Sequence, residues 1–414
     1  MTDAVAAAQP VTPPHWAVVA GRLFVIFMGP SLGGLAPLGL ALDQPALAAH
    51  FGGGAQGMLQ AGTVFTAPSL AIIVGAPLGG YLAERFGYRL TMLVALLIYS
   101  VTGVAGLLID GYVPLFASRL VLGLASGAVM AVYLALASAW YEGPARSKVL
   151  GFAVASSSIV GAAALALGGR LVDLGGWRAP FAMYAVGFVT LAVAYLTVHG
   201  PFHKQSKAAR APGSQPSSNL GQLRVIAQFW PIYLALLITS IGTFMPSAGG
   251  PFLLKANGIT GATEAGYILS IGSISAIFTA AAYGYVRRWI SDWGLFFIIP
   301  SLMGIGLAAA PAFYNWMALL AIFLLIGLGT GFKAPTAASI LMANSPPDVR
   351  AAAAGLNFSC IFLGQFLGPF VLRLLSGPFG IHGAFVGTGA MLMLAAVVIW
   401  AAGIGKEKTK LEPS

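Results

Sequence analysis

The chain repeats itself at a fixed offset of 204 residues, and both copies of the repeated unit lie in very apolar sequence. Internal repeats of helical bundles are typical of secondary transporters, in which the substrate binds between the two copies. The repeat therefore predicts two related bundles of membrane helices. The matched pairs are Gly80 and Gly284, Gly123 and Gly327, Gly127 and Gly331, Arg146 and Arg350, and Gly151 and Gly355.

The composition indicates that most of the surface faces lipid. Of the 414 residues, 58% are hydrophobic and 8% are charged, and the mean hydropathy is +0.88. A soluble domain carries about 25% charged residues. Because there are too few polar side chains to cover a water-exposed surface, we predict an all-α membrane protein. The single cysteine, Cys360, excludes an internal disulfide.

Twelve apolar stretches are long enough to cross a bilayer, because a helical span needs about 20 residues. Six lie in residues 1–200 and six in 228–414, which predicts an N-terminal and a C-terminal six-helix bundle. The basic stretch 201–227, with its Pro/Gly/Ser cluster, is typical of a flexible linker. The predicted spans are 16–41, 57–82, 90–109, 112–138, 149–171, 179–199, 228–250, 264–286, 293–311, 316–342, 351–374 and 383–404.

Lysine and arginine are unevenly distributed between the two sides of the membrane that these spans define. Fourteen of the 21 lie on the side of the N-terminus, four lie on the other side, including Arg170 and Arg373 at the very ends of spans, and three fall in the interior of spans. Since basic loops stay in the cytoplasm, the bias predicts a multi-pass protein of the plasma (inner) membrane with both termini and the linker cytoplasmic. The net charge of +10 then serves topology and contact with anionic lipid, and we expect no nucleic-acid partner.

The connection after the second span carries glycines and charges at characteristic spacing. From Gly80 to Arg89 it reads Gly-Tyr-Leu-Ala-Glu-Arg-Phe-Gly-Tyr-Arg, with Glu84 four residues after the first glycine. This resembles motif A of the major facilitator superfamily (MFS), with Glu84 in place of the usual aspartate and Tyr88 in place of a basic residue. The resemblance implies the MFS fold, which is twelve helices in two pseudo-symmetric bundles, and transport by alternating access.

In that superfamily, this loop latches the two bundles together on the cytoplasmic side. The resemblance implies that Glu84 is the acid of the latch and that its hydrogen bonds form only while that side is closed. The two glycines of the loop would permit a tight turn and close helix packing. The residues that the resemblance assigns to the latch and to coupling are Gly80, Glu84, Arg85, Gly87, Arg89, Arg119 and Arg146.

Two further motifs bear on coupling. The sequence from Arg119 to Gly123 is similar to motif B of the superfamily, which is linked to proton coupling, although Leu122 replaces its usual polar residue. A motif of the superfamily's antiporters needs Gly-Pro ahead of a Gly-Gly pair in the fifth span. Here Ala-Leu stands at 164–165 ahead of the glycines at 168–169. The missing proline argues against a standard drug/proton antiporter.

Three basic residues fall within predicted spans, where ionisable groups are costly and mark functional sites. Arg22, Arg119 and Lys333 lie on the first, fourth and tenth spans, which line the central cavity in the superfamily. Lys333 lies too deep to snorkel comfortably, so we expect it in the cavity, with carbonyls freed by Pro335 as the alternative partners. Arg22 either snorkels to the interface or lines the cavity.

The eleven acidic residues all map to tails, loops or span ends. A site for organic cations usually needs a buried carboxylate, and so does a simple proton relay. A cavity with bases and no acid therefore predicts an anionic solute, such as a carboxylate or a phosphorylated metabolite. Tyr133, Asn357 and Gln365 complete the candidate substrate-binding set with Lys333 and Arg22, although interhelical hydrogen bonds are the alternative for each.

We thus predict a secondary active transporter of a small, anionic organic solute. The alternative is a proton-coupled multidrug or toxic-compound efflux antiporter. The five histidines lie in tails, loops or span ends, and no metal-ligand cluster or catalytic dyad is visible in the sequence. We therefore expect no enzymatic activity, no cofactor and no metal. The expected partners are the small-molecule substrate, the lipid bilayer and, as a candidate coupling ion, the proton, and we expect a monomer.

Overall fold

Helices account for nearly all of the residues that this computed structural model describes, which are 16–199, 229–344 and 350–401. No strand occurs within these ranges. The stretch 201–227, predicted as the linker, lies outside the described residues. The all-α fold predicted from the composition is confirmed.

The N-terminal half, residues 16–199, contains long helices that run back and forth. Short 3₁₀ segments at Ala105–Leu107 and Gly176–Ala185 follow α4 and α6. The α-helices are α1 Trp16–Leu38, α2 Gln44–His50, α3 Gly54–Phe86, α4 Tyr88–Val104, α5 Tyr112–Trp140, α6 Gly143–Gly175 and α7 Val186–Thr197.

The C-terminal half repeats this pattern of long helices. Its last helix is broken at Gly380, where φ is 66° and ψ is −178°. A 3₁₀ segment covers Ala310–Ala312. The α-helices are α8 Trp230–Ala256, α9 Ala262–Val286, α10 Asp292–Ala309, α11 Trp316–Asn344 and α12 Arg350–Ala401.

Several helices extend beyond the spans predicted from hydropathy. The apolar stretch 57–82 lies within α3, which covers Gly54–Phe86, and 149–171 lies within α6, which covers Gly143–Gly175. The added residues include glycines and charged side chains. A helix continues as long as its backbone hydrogen bonds do, so it can leave the apolar layer before it ends.

Ten stretches of the described helices are long and apolar enough to cross a bilayer. Two of them, 143–197 and 355–401, are 55 and 47 residues long, about twice the length that one crossing needs. Each is interrupted by a glycine with positive φ, Gly176 at 69° and Gly380 at 66°. These glycines are separated by the repeat offset and lie between the fifth and sixth and between the eleventh and twelfth predicted spans. The count of twelve crossings remains a prediction.

The sequence repeat is also a repeat of helix contacts. A Cβ atom on Gly123 of α5 would clash with the carbonyl oxygen of Pro68 in α3. A Cβ atom on Gly327 of α11 would clash with the carbonyl oxygen of Gly272 in α9, and both members of this pair lie one repeat further along. Glycines at four-residue spacing allow two backbones to approach this closely. The two halves therefore share one mode of helix packing.

The first helix is held by hydroxyl groups of α6. The side chain of Ser156 donates a hydrogen bond of 2.9 Å to the carbonyl of Phe27, and that of Ser157 donates one of 3.0 Å to the carbonyl of Pro30. The serine run of α6 thus fixes α1, which contains Pro30 and Pro37.

The two halves touch on the face opposite the N-terminus of α1. Gln44, just after α1, donates a hydrogen bond of 2.7 Å from Nε2 to the carbonyl of Ser247 in α8. Gly62, two turns into α3, packs so tightly against α12 that its Cβ would lie 2.7 Å from Cβ of Pro369. These contacts hold the halves together at that face.

The repeat glycines near the face that carries the N-terminus of α1 are loosely packed. No atom outside the glycine's own stretch of helix lies within 4 Å of the position that a Cβ would take there. By contrast, the repeat glycines deeper in the bundle are tightly packed. Near the N-terminal face, these four positions therefore make no close helix contact. These open glycines are Gly80, Gly151, Gly284 and Gly355.

The two kinds of glycine predict opposite responses to the same substitution. We expect Gly123→Ala to lower the melting temperature of the purified protein, because overpacking a tight contact costs about 1–3 kcal/mol. Gly80→Ala should leave the melting temperature unchanged or raise it slightly, since alanine favours a helix by about 1 kcal/mol over glycine. A thermal-unfolding assay in detergent compares the two, and equal melting temperatures would contradict the close contact of α3 with α5.

Candidate functional site

A cavity of about 240 Å³ lies between the two halves. Its walls come from α1 and α6 of the N-terminal half and from α8, α9 and α11 of the C-terminal half. None of the described residues that line it is charged. Apolar walls with a few convergent polar groups are usual for a small-molecule site. The hydroxyl groups in the walls are those of Ser157, Ser158, Thr243, Ser247, Ser273 and Thr330.

Lys333 of α11 lies directly behind the wall of this cavity. Its Nζ donates hydrogen bonds of 2.9 Å to Oγ1 of Thr243 and 3.2 Å to Oγ of Ser240, both in α8. Nζ also lies 5.8 Å from the ring centre of Phe244. Because Thr243 and Phe244 line the cavity, a single layer of side chains separates the ammonium group of Lys333 from a solute bound there.

The surroundings of Lys333 match neither of its two predicted settings in full, since it is not among the residues that line the cavity. The side chain is 6% exposed, so it does not reach a membrane interface. Its hydrogen bonds go to hydroxyl groups of a neighbouring helix, whereas the alternative required carbonyls freed by Pro335. No ion pair joins it to an acid within the described ranges. A buried ammonium group without a carboxylate partner is costly, and a bound anion would offset that cost.

Arg22 is not among the residues that line the cavity. Its Nε donates a hydrogen bond of 3.4 Å to the carbonyl of Thr197 at the end of α7. Its guanidinium group lies 5.0 Å from the ring centre of Trp140 at the end of α5. Both neighbours are at helix ends on the N-terminal face, so these contacts fit the snorkelling alternative.

The three uncharged candidates also lie outside the cavity lining. Tyr133 packs against α1, and Asn357 is buried with its Oδ1 atom lacking a hydrogen bond. Gln365 is 1% exposed, and neither atom of its amide has a hydrogen-bond partner in the described part of the chain. It lies one turn before Pro369, so it faces the junction with Gly62 of α3. Such an unsatisfied buried amide is costly to the folded state.

The glycines of the motif-A loop differ in their surroundings. Gly87 separates α3 from α4 and has φ of 91° and ψ of 148°, a conformation that L side chains rarely adopt. Gly80 instead faces open space at the N-terminal face. Glu84 and Arg146 are exposed on that same face. The loop therefore has its turn at Gly87, but Gly80 lacks the close packing that the latch requires.

The two arginines of the motif-A loop, Arg85 and Arg89, lie against aromatic side chains. Nη1 of Arg85 donates a hydrogen bond of 3.0 Å to the hydroxyl of Tyr81. Nη2 of Arg89 donates one of 3.3 Å to the carbonyl of Tyr195 in α7. These contacts are within the N-terminal half. The latch role of both arginines therefore remains a prediction.

Arg119 of α5 is fully buried and stabilises the end of α4. Its Nη2 donates hydrogen bonds to the carbonyls of Thr102 and, at 3.0 Å, of Gly103. The guanidinium group lies 4.9 Å from the ring centre of Phe181 and 5.1 Å from that of Tyr184. A cation interacts favourably with the C-terminal carbonyls of a helix. Arg119 thus holds a position between helices and does not line the cavity.

Asp43 is a buried acid, although it lies in a connection just after the first predicted span. It lies between α1 and α2 as expected, but it is 0% exposed. Its carboxylate accepts no hydrogen bond from another described residue. Burial raises the pKa of this carboxyl group well above its usual value, and the charge of Arg119 opposes the shift only in part. The sequence signal was that Asp43 directly follows an apolar run.

Asp173 connects the two halves, and the sequence gave no sign of this. From the end of α6, its carboxylate accepts hydrogen bonds from the backbone N–H groups of Ala262 at 3.1 Å and Thr263 at 2.8 Å. It also accepts one of 2.6 Å from the hydroxyl of Thr263. These donors form the first turn of α9, where unpaired N–H groups and the helix dipole favour an anion. An acid of one half thus caps a helix of the other.

A family model supports the resemblance noted in the sequence. The model described as Major Facilitator Superfamily matches residues 19–313 and 293–414. The chain belongs to the major facilitator superfamily. Its repeat, its apolar helices and its motif-A loop are therefore those of a multi-pass membrane transporter family.

Individual MFS relatives differ in what they carry. The chain is 31% identical over 150 residues to the probable vesicular acetylcholine transporter-B of Danio rerio, a match that covers 36% of this chain and 30% of that protein. It is 24% identical over 353 residues to multidrug resistance protein MdtG of Dickeya zeae (strain Ech586), covering 83% of this chain and 84% of MdtG. The chain thus spans less than a third of the vesicular transporter but most of MdtG.

Solved MFS structures have the same fold. The crystal structure of a D-xylose-proton symporter superimposes with a TM-score of 0.74 at 16% sequence identity and covers 92% of this chain and 97% of the symporter. At this identity, the similarity establishes the fold and nothing about the substrate.

The burial of Asp43 predicts a pH-dependent stability. The folded-state pKa lies above the unfolded value of about 3.9, so the folded protein holds more protons and its stability falls as the pH rises above that value. Asp43→Asn removes this effect. We expect the melting temperature of Asp43→Asn minus that of the wild type to increase from about pH 5 to about pH 8.

The control for this measurement is Glu142→Gln, which removes an exposed acid between α5 and α6. Its melting temperature should follow the wild type at every pH. A difference between Asp43→Asn and the wild type that stays constant or shrinks with rising pH would contradict the buried carboxyl group.

Proposed function

We propose that this MFS protein is a secondary active transporter that moves a small organic anion across the membrane by alternating access. The observation that supports the anionic substrate is Lys333, an ammonium group buried beside the cavity between the halves, whose acceptors among the described residues are hydroxyl groups. Ionisable groups at this depth of a membrane protein mark substrate or ion sites.

The chemistry of the wall fits a carboxylate or phosphate group. An acidic oxygen that replaces a hydroxyl as the acceptor for Nζ of Lys333 would gain a charge-assisted hydrogen bond, which is stronger than a neutral one. The hydroxyl groups of Thr243 and Thr330 now donate to carbonyls of their own helices, and a rotation of either hydroxyl would let it donate to the same ligand. The cavity volume of about 240 Å³ suits a small solute.

During alternating access, contacts between the two halves would break at one face of the protein and form at the other. In the state described above, Asp173 and Gln44 hold the halves together opposite the N-terminal face. The motif-A loop around Glu84 would take over in the opposite state, when the N-terminal face closes. We propose that the halves are six-helix bundles, that residues 201–227 link them in the cytoplasm, and that both termini of the monomer are cytoplasmic in a plasma (inner) membrane.

A second candidate function is proton-coupled efflux of hydrophobic drugs. Two observations favour it: Asp43 is a buried carboxyl group that could bind a proton, and the cavity walls are largely apolar. The relative MdtG is named a multidrug resistance protein. Asp43 could serve a proton-coupled anion carrier equally well, so the charge of the ligand distinguishes the two candidates.

The first test replaces the lysine while keeping its length. We expect organic anions from a library of carboxylates and phosphorylated metabolites to raise the melting temperature of the wild-type protein, since a ligand that binds the folded state stabilises it. Lys333→Met should weaken binding of these anions at least about tenfold, because a lost charge-assisted hydrogen bond is worth about 1.5–3 kcal/mol. Uptake of the same radiolabelled anion into proteoliposomes should fall in parallel.

Lys255→Met is the matched control, because Lys255 is an exposed lysine at the end of the helix that also carries Thr243. It should bind and transport the anion like the wild type. Stabilisation by hydrophobic organic cations alone, or anion binding that survives in Lys333→Met, would reject the anionic substrate and favour the efflux candidate.

A further inference from the structure

Two apolar grooves flank α4 on the outer surface of the N-terminal half. The first, here the α3 groove, lies among α3, α4 and α5, has a volume of about 480 Å³ and includes Leu78, Phe86 and Leu90. The second, here the α7 groove, lies between α4 and α7, has a volume of about 400 Å³ and includes Tyr195. Val94 of α4 lines both grooves. The grooves are therefore neighbours separated by one helix.

Each groove ends beneath an arginine. The guanidinium carbon of Arg85 lies 5.5 Å from the ring centre of Phe86 in the α3 groove. That of Arg89 lies 5.5 Å from the ring centre of Tyr195 in the α7 groove. Arg85 lies in the last turn of α3 and Arg89 in the first turn of α4, on either side of the connection at Gly87. Two positive charges thus lie at the same end of two neighbouring apolar grooves.

The two guanidinium groups retain hydrogen-bonding capacity. An arginine has five N–H donors. Arg85 uses one of them on Tyr81, and Arg89 uses one on the carbonyl of Tyr195. Nε of Arg89 has no hydrogen-bond partner among the described residues. Planar guanidinium groups of this kind bind phosphate oxygens in a bidentate way.

We propose that these grooves bind one anionic phospholipid, with a tail on each side of α4 and its phosphate held by Arg85 and Arg89. The charge matches, because phosphate lies at the interfacial depth where the arginines lie and anionic headgroups attract basic side chains there. The shape matches as well, since a diacyl lipid has two tails for two channels.

A helix of another protein fits this surface poorly. A helix with its side chains is about 10–12 Å wide, whereas the surface offers two channels divided by the ridge of α4. The side chains along them are among the exposed large hydrophobic residues of the protein, for example Leu90 at 54%, Leu97 at 47% and Tyr195 at 60% exposure. The inference does not depend on which solute the carrier moves.

The test measures lipid binding by native mass spectrometry of the purified full chain. Phosphatidylglycerol and phosphatidylcholine with identical tails are compared, and we expect one phosphatidylglycerol to bind at least about tenfold more tightly. Arg85→Gln/Arg89→Gln should abolish this preference and leave binding of phosphatidylcholine unchanged. Lys148→Gln/Arg288→Gln removes two exposed charges from the same face and should retain the preference.

A second variant tests the grooves without changing a charge. Val94→Trp puts a large side chain into the position shared by both grooves and should weaken binding of both lipids. Val189→Trp, at an exposed valine outside the groove linings, should bind like the wild type. Equal affinity for the two lipids, a preference that survives in Arg85→Gln/Arg89→Gln, full binding by Val94→Trp, or displacement of the lipid by inorganic phosphate would each overturn the proposal.

Discussion

The buried ammonium group of Lys333 is the interaction that constrains the centre of this protein most. Hydroxyl groups of Ser240 and Thr243 accept its hydrogen bonds, but no acid of the described chain pairs with its charge. A charge in that setting is costly by itself and becomes favourable when a counter-charge arrives. Since Thr243 and Phe244 separate it from the cavity, the counter-charge would come from a solute bound between the two halves.

The two halves are packed alike in their interiors, and some of the contacts between them are polar. Tight glycine contacts pair α3 with α5 and α9 with α11 in the same register, so each half is internally rigid. Between the halves, the carboxylate of Asp173 on α9 and the amide of Gln44 on Ser247 are polar contacts at one face. Polar contacts of this kind can break and be replaced by water at low net cost, which a carrier needs at its gates.

The sequence predicted the parts of the structure that depend on local pattern. Hydropathy located α1 and α5 to within a few residues, and the repeat that pairs Gly123 with Gly327 is also a repeat of helix contacts. The remaining features depend on partners that are remote in sequence. Asp173 finds its donors about 90 residues away, and Asp43 is buried although it lies in a connection between helices. A cavity role for Arg22 was plausible from its span, but only the fold shows it against Trp140.

The most direct measurement of the central claim is an experimental structure of the wild-type protein with an anion that stabilises it. The account predicts that the acidic group of the ligand lies within about 3 Å of Nζ of Lys333 or of the hydroxyl of Thr243. A ligand that occupies the cavity with its acidic group turned away from α11 would contradict the account, and so would an organic cation bound beside Asp43.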